Sequence, residues 1–268
     1  MKEIMNGAHN LPLYQIDAFS NYVLAGNPAA ICPLQDWLPD ELLQQLANEN
    51  NLSETAFFVK NGEQYGLRWF TPQQEVDLCG HATLAAAWLI FNELDTAAKQ
   101  VVFDTRSGVL TVVRDGQRLT MDLPVLDRQP CEAPAALVDG LGMAPVATFV
   151  GMDYMAVLES EAQVRALQPD FATLAKLDRR GIIVTAPGEQ CDFVSRFFAP
   201  VAGINEDPVT GSAHCMLTPY WAERLQNTQL HARQLSPRGG ELWCELRNGR
   251  VFISGAACLY LRGEFQLP

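Results

Sequence analysis

The sequence predicts an α+β fold built as two related halves, each a set of strands around one buried helix. Three observations point there. Each half runs strands, then one helical stretch, then strands again; the stretch GHATLAAAWLIFNEL at 80–94 is apolar on every face; and the aromatic phrase RWFTP at 68–72 recurs as RFFAP at 196–200. Arg68, Phe70 and Pro72 map onto Arg196, Phe198 and Pro200 at one offset, and a Gly-His-Ala after the first copy answers a Gly-Ser-Ala after the second. A helix without a polar face must be buried on all sides. At 268 residues the chain has room for two domains of ordinary size.

The elements follow in order. LYQIDAF (13–19) and AAICPL (29–34) are rich in strand formers, separated by the turn chemistry of LAGNP, where Gly26 frees the backbone and Pro28 fixes it. PDELLQQLANEN opens with Pro39 and two acids and repeats Leu at helical spacing, which predicts a helix over 39–50. TAFFVK (55–60) and YGLRWF (65–70) are strands about the turn NGE. The buried helix covers 80–94. VVFDT and GVLTVVRDGQRLTMDLP are strands with a hairpin at Arg114-Asp115-Gly116-Gln117. In the second half PVATFVG, YMAVLE, GIIVTA and CDFVSRFFAP are strands, and EAQVRAL and DFATLAKL short helices. GSAHCMLTPYWAERLQ (211–226) is the second central helix, with Pro219 expected to kink it. QLHARQL, GELWCELRNG, RVFISG and AACLYLRGEF form an all-strand tail with a hairpin at Asn248-Gly249.

Composition narrows the function. The formal charge of -12, with no basic patch, argues against a phosphate-backbone binder, so no nucleic-acid partner is expected. It leaves room for a small anion, because clustered N–H dipoles bind one whatever the net charge. The seven cysteines (32, 79, 131, 191, 215, 244 and 258) are odd in number, scattered and without a CxxC pair, which suits a reducing, cytoplasmic setting. MKEIMNGAHN lacks the apolar core of a signal peptide, and the longest apolar run is too short to span a bilayer, so no membrane association is expected.

Four stretches carry residues suited to chemistry. Glu54, in NLSETAF, sits beside apolar AFF, where burial would favour the neutral carboxyl and make an acid/base near neutral pH. EVDLCGHAT sets Asp77, Cys79 and His81 just ahead of the buried helix, where a histidine can donate or accept and a cysteine can be acidified. EDPVTGSAH brings Glu206, Asp207, Ser212 and His214 to a tight turn opening the second helix, as capping residues, chemical groups or both. SPRGGEL, with Arg238 and two glycines, has the form of an anion nest. Cys79, His81, His214 and Cys215 match zinc spacings poorly, so no metal is expected. No G-x-S-x-G elbow, G-x-G-x-x-G or P-loop is present, which leaves a serine hydrolase or nucleotide cofactor unsupported.

Taken together, YQIDAF, GNPAAIC, NLSETAFF, LRWFTPQQEVDLCGHAT, SRFFAPVAGINEDPVTGSAH and RGGEL resemble the phenazine-biosynthesis PhzF-like isomerases of the diaminopimelate epimerase-like superfamily, from about Leu13 to the final strands. The resemblance implies two pseudo-symmetric domains, each a barrel-like sheet around a central helix, with the active site between them. They would cover 1–124 and 125–258, with the last strand, 259–268, returning to the first. It further implies Glu54 as catalytic acid/base with His81 and Asp207, and Gly80, Gly211, Ser212, Asn27, Cys79 and Thr210 as substrate-binding positions. The substrate class is a small, unsaturated or cyclic carboxylic acid; no cofactor or metal is implied, and a homodimer is suggested. One departure matters: epimerases of the superfamily place a cysteine at each helix start, whereas here Cys79 is answered by Thr210, whose hydroxyl is too weakly acidic to replace a thiol. A one-carboxylate proton shuttle is therefore favoured over two-thiol racemisation. A Cys79-dependent epimerase and a non-catalytic binding or scaffold protein on the same fold are the alternatives.

Overall fold

The computed structural model describes residues 10–267, and the stretch inspected above for a signal peptide lies mostly outside them. The chain divides into two compact units: the first takes the chain up to Leu24, Pro28–Met121 and the chain from Ala256, and the second takes Ala25–Asn27 and Asp122–Gly255.

The first unit contains β1 (Asn10–Ala18), β2 (Asn27–Leu34), α1 (Asp40–Asn50), β3 (Glu54–Asn61), β4 (Gln64–Phe70), β5 (Glu75–Val76), α2 (Gly80–Leu89), β6 (Gln100–Thr105), β7 (Gly108–Asp115) and β8 (Arg118–Pro124). The second contains β9 (Arg128–Pro130), α3 (Ala135–Leu141), β10 (Ala147–Gly151), β11 (Tyr154–Val157), α4 (Glu161–Ala166), α5 (Phe171–Leu174), β12 (Ile182–Pro187), β13 (Phe193–Ala199), β14 (Ile204–Asp207), α6 (Gly211–Leu225), β15 (Gln229–Gln234), β16 (Gly240–Arg247) and β17 (Arg250–Gly255). The last strand, β18 (Ala257–Gln266), pairs antiparallel with β1 along its length, with one register shift after Gln15.

The two units follow one pairing plan. In the first, β2–β3 is parallel, β3–β4 antiparallel, β4–β6 parallel, and β6–β7 and β7–β8 antiparallel. In the second, β11–β12, β12–β13, β13–β15, β15–β16 and β16–β17 repeat that order of senses. Parallel neighbours need a crossover, and helices supply them: α1 and α2 in one unit, α4 with α5, and α6, in the other. Even the short strands correspond, since β5 pairs with the end of β4 as β14 does with β13.

The repeated aromatic phrase has a physical role. Arg68 donates through Nε and Nη2 to Glu75 at 2.7 and 2.8 Å, and Arg196 donates likewise to Glu206 at 2.7 and 2.9 Å. Each guanidinium also lies over the phenylalanine two residues on, 5.1 Å from the Phe70 ring and 4.9 Å from that of Phe198. A bidentate fork ties the strand to the short strand that leads into the central helix. Arg196 Nη1 reaches further, to the carbonyls of Val164 and Leu167 at 3.2 and 3.0 Å, satisfying the end of α4.

The central helices are buried as their composition requires. Ala82, Thr83, Leu84, Ala85, Ala86, Ala87 and Leu89 of α2 are fully buried, and so are Met216, Leu217 and Trp221 of α6. Where one continuous helix to 94 is expected, the last turn of the first, Ile90–Leu94, is π-helical. Asp95 N–H bonds Ile90 O at 2.7 Å, and Arg114 donates to Phe91 O and Asn92 Oδ1 at 3.0 and 3.1 Å, closing that wider end. Pro219 does not break α6: the carbonyl its missing N–H would leave free, Cys215 O, accepts from Leu126 N–H at 3.2 Å. No helix among the described residues is long and apolar enough to cross a membrane.

Smaller differences have simple causes. The first hairpin turns at Gly116-Gln117, one residue later than expected, because Asp115 pairs with Arg118 and Gly116 takes φ 60°. β5, β9 and α3 were not expected; two are strands of two or three residues, and α3 is a seven-residue helix between Pro134 and a left-handed Gly142. The Asn248-Gly249 hairpin is present with both residues left-handed.

Arg196→Ala is expected to lower stability in urea unfolding by about 3 kcal/mol, because it strands a mostly buried Glu206. Asp122→Ala, which removes the more exposed Arg250–Asp122 pair, is expected to cost less than about 1 kcal/mol. Equal costs would show that the fork is not the strand-to-helix brace.

Candidate active site

The first unit gathers three sequence-predicted residues at the start of α2. Glu54 is the first residue of β3, held there because the left-handed Asn51 ends α1 three residues earlier and because Ala56, Phe57 and Phe58 anchor the strand in the core. Its carboxylate is 16% exposed, and its Oε2 lies 3.2 Å from His81 Nε2. The other ring nitrogen, Nδ1, lies 3.5 Å from Cys79 Sγ. Cys79 is the N-cap of α2, and its carbonyl accepts both the N–H and the hydroxyl of Thr83, at 3.1 and 2.6 Å. Gly80 opens the helix, where first-turn N–H groups have no acceptor within the helix. Burial pulls the His81 pKa down to about 3, so the ring is neutral at pH 7. Glu54, Cys79 and His81 each offer a donor atom, all within 4.8 Å of one another, and are the residues that could hold a metal ion. The imidazole turns Nδ1 towards Cys79 and Nε2 towards Glu54.

The second unit gathers the rest around the start of α6. Asp207 ends β14; its Oδ1 accepts from Asn27 Nδ2 at 2.8 Å and its Oδ2 from the Thr210 hydroxyl at 2.5 Å. Burial pushes its pKa up to about 6, against the pull of those two hydrogen bonds and of Arg180. Asn27 also donates to Val209 O at 2.9 Å. Gln234, on β15, accepts from Thr210 N–H at 2.9 Å and donates to Asp207 O at 2.8 Å and Thr210 Oγ1 at 3.2 Å. Thr210 is the N-cap of α6, with Gly211 and Ser212 in the first turn. Ser212 Oγ accepts from Arg180 Nη2 at 3.0 Å, and Arg180 is itself aligned by the fully buried Asp153 at 3.0 and 2.6 Å. His214 Nδ1 lies 2.8 Å from Thr210 O, and burial pulls its pKa down to about 4.

Two expected features are placed differently. In the loop read as an anion nest, Arg238 donates to Gly26 O and Ala25 O at 2.8 and 3.0 Å, so the loop braces the segment carrying Asn27. It also fits closely under Val209, since a Cβ on Gly240 would fall 2.2 Å from Val209 Cγ2. Asp77 is largely exposed and 4.0 Å from Arg106, and Glu206 belongs to the Arg196 fork, so neither joins the clusters. Sequence reasoning missed Gln234, Arg180 and Asp153, which stand in strands and loops with no motif around them.

The raised Asp207 and the depressed histidines act oppositely on stability. His214 and His81 contribute above the unfolded histidine pKa, about 6.5, and lose that contribution as pH falls. Asp207 contributes fully below the unfolded value, about 3.9, and loses that contribution as pH rises towards 6. Asp207→Asn is therefore expected to steepen the loss of stability between pH 6.5 and 4, by on the order of 3 kcal/mol, measured as urea unfolding against pH. An unchanged slope would mean that Asp207 titrates normally.

Comparison with known proteins shows the family of the chain. The family model described as phenazine biosynthesis-like protein matches residues 16–263. An uncharacterized isomerase of Pseudomonas aeruginosa is 52% identical, over 96% of this chain and 99% of its own. The crystal structure of a phenazine biosynthesis PhzF-family protein from Enterococcus faecalis superposes with a TM-score of 0.94 at 46% identity, over 97% of this chain and 100% of that one. A hydroxyproline epimerase from Agrobacterium vitis shares the fold at 10% identity, with a TM-score of 0.64 over 98% of this chain and 93% of its own. With an α+β, diaminopimelate epimerase-like fold and a match over nearly its whole length, the chain belongs to the phenazine biosynthesis-like PhzC-PhzF family.

Proposed function

We propose that the protein is a cofactor-independent isomerase in which Glu54 moves a proton between two carbons of a small, unsaturated or cyclic carboxylic acid. The observation that carries this reading is the largely buried Glu54 side chain, whose Oε2 lies 3.2 Å from a neutral His81. The name of the Pseudomonas aeruginosa relative, an isomerase, supports the reaction class.

The chemistry balances without an outside oxidant or reductant. Glu54 takes the proton of a C–H bond next to the unsaturated system, and the bonding electrons move into that system as an enolate or extended anion. The carboxylic acid so formed returns the proton to a second carbon, and the double bond ends one position along. His81 steadies the carboxylate during the exchange. First-turn N–H groups, at Gly80 in one unit and at Gly211 and Ser212 in the other, each suit a carboxylate or a developing anion. Asp207, with its pKa near 6, is divided between acid and carboxylate close to neutral pH and suits orienting a polar substituent.

Incubation in heavy water with a panel of small unsaturated and cyclic acids tests this by mass and proton signals. Deuterium is expected in one compound with wild type, and Glu54→Gln is expected to slow its entry by about 10²–10⁴-fold while leaving the thermal midpoint within a few degrees. Exchange at the wild-type rate in Glu54→Gln would remove Glu54 as the proton carrier. Binding of one acid without exchange would favour a non-catalytic ligand-binding protein.

A further inference from the structure

We propose that Cys79 is a positioning residue: its thiol donates to His81 Nδ1 and so holds the imidazole in the tautomer that carries its proton on Nε2, towards Glu54. The proposal rests on Glu54 as the proton-transferring group and adds what keeps that group's neighbour in register.

A neutral imidazole has one N–H and one acceptor nitrogen, and the partner of one nitrogen decides which is which. His81 is buried and neutral, with Nδ1 3.5 Å from Cys79 Sγ and Nε2 3.2 Å from Glu54 Oε2. The 3.2 Å approach of Nε2 to Glu54 Oε2 does not by itself fix the tautomer, although a carboxylate, which only accepts, suits a proton on that side. A thiol donating to Nδ1 does fix it, by leaving the ring proton on Nε2.

The second unit carries an independent parallel. Thr210 stands where Cys79 does, as N-cap of the central helix, and both have an extended backbone, φ -112° and -143°. An N-cap side chain ordinarily turns back to accept from the first helical turn. Neither does so here. The Thr210 hydroxyl instead donates to Asp207 Oδ2 at 2.5 Å, and the Cys79 thiol faces His81. Both caps are thus turned from their own helix to a neighbouring side chain of the site, Asp207 in one unit and His81 in the other. A hydroxyl can donate as a thiol does, which fits Cys79 and Thr210 standing at matching places.

The test is the tautomer itself, read by long-range nitrogen–proton NMR on protein labelled at histidine, with His81→Gln identifying the signals among the chain's 4 histidines. Wild type and Cys79→Ser, which keeps a donor, are expected to show Nε2 protonated and Nδ1 bare. Cys79→Ala, checked for folding by thermal unfolding, is expected to lose that preference and gain the Nδ1–H form. A wild-type ring protonated at Nδ1, or an unchanged tautomer in Cys79→Ala, overturns the proposal. So does equal loss of deuterium exchange in Cys79→Ser and Cys79→Ala with the tautomer intact, because the thiol would then be transferring protons itself. Full exchange in Glu54→Gln sinks the function proposed for Glu54 and leaves the tautomer result standing.

Discussion

A helix with no polar face has to be enclosed, and the rest of each unit is arranged around that requirement. Burying α2 or α6 removes its sides from water and leaves its ends as the places where unsatisfied backbone groups meet side chains. The N-terminal end offers N–H groups and partial positive charge, and the residues suited to chemistry are found at that end: Glu54, Cys79 and His81 in one unit, Asp207, Thr210 and Ser212 in the other. The Arg68–Glu75 and Arg196–Glu206 forks fix the strand that delivers the chain to each helix, which explains why one phrase is written twice.

The duplication is more faithful in backbone than in chemistry. The order of strand senses is the same in both units, and so are the crossover helices. At the helix starts Cys79 is answered by Thr210, His81 by Ser212 and Thr83 by His214. Each swap keeps a hydrogen-bonding role in a new form: Thr83 reaches back to Cys79 O through its hydroxyl, and His214 Nδ1 lies at the matching distance from Thr210 O. Burial pushes Asp207 up and pulls His81 and His214 down, so the same physical effect yields groups that titrate or stay neutral near physiological pH.

Most of the architecture was legible in the sequence, because its signals are local. Apolar stretches of helical length mark the central helices, β-branched and aromatic runs mark the strands, and Asn248-Gly249 marks its own turn. The short elements β5, β9 and α3 were not legible, since a strand of two or three residues carries no period and α3 is held by its neighbours. The π-helical turn at Ile90–Leu94 was hidden likewise, as it depends on Arg114 from a later strand.

By itself the sequence determined the fold class, the internal repeat and the identity of the groups at each helix start, because these rest on spacing along the chain and on resemblance of motifs. Only the tertiary structure decided their partners. Asn27 and Gln234 meet Asp207 from distant segments, Asp153 aligns Arg180 on Ser212, and Arg238 braces the segment that carries Asn27. The physical reason is that a hydrogen bond has a direction and a length set by three-dimensional packing, and a buried charge takes its proton affinity from the neighbours that packing supplies.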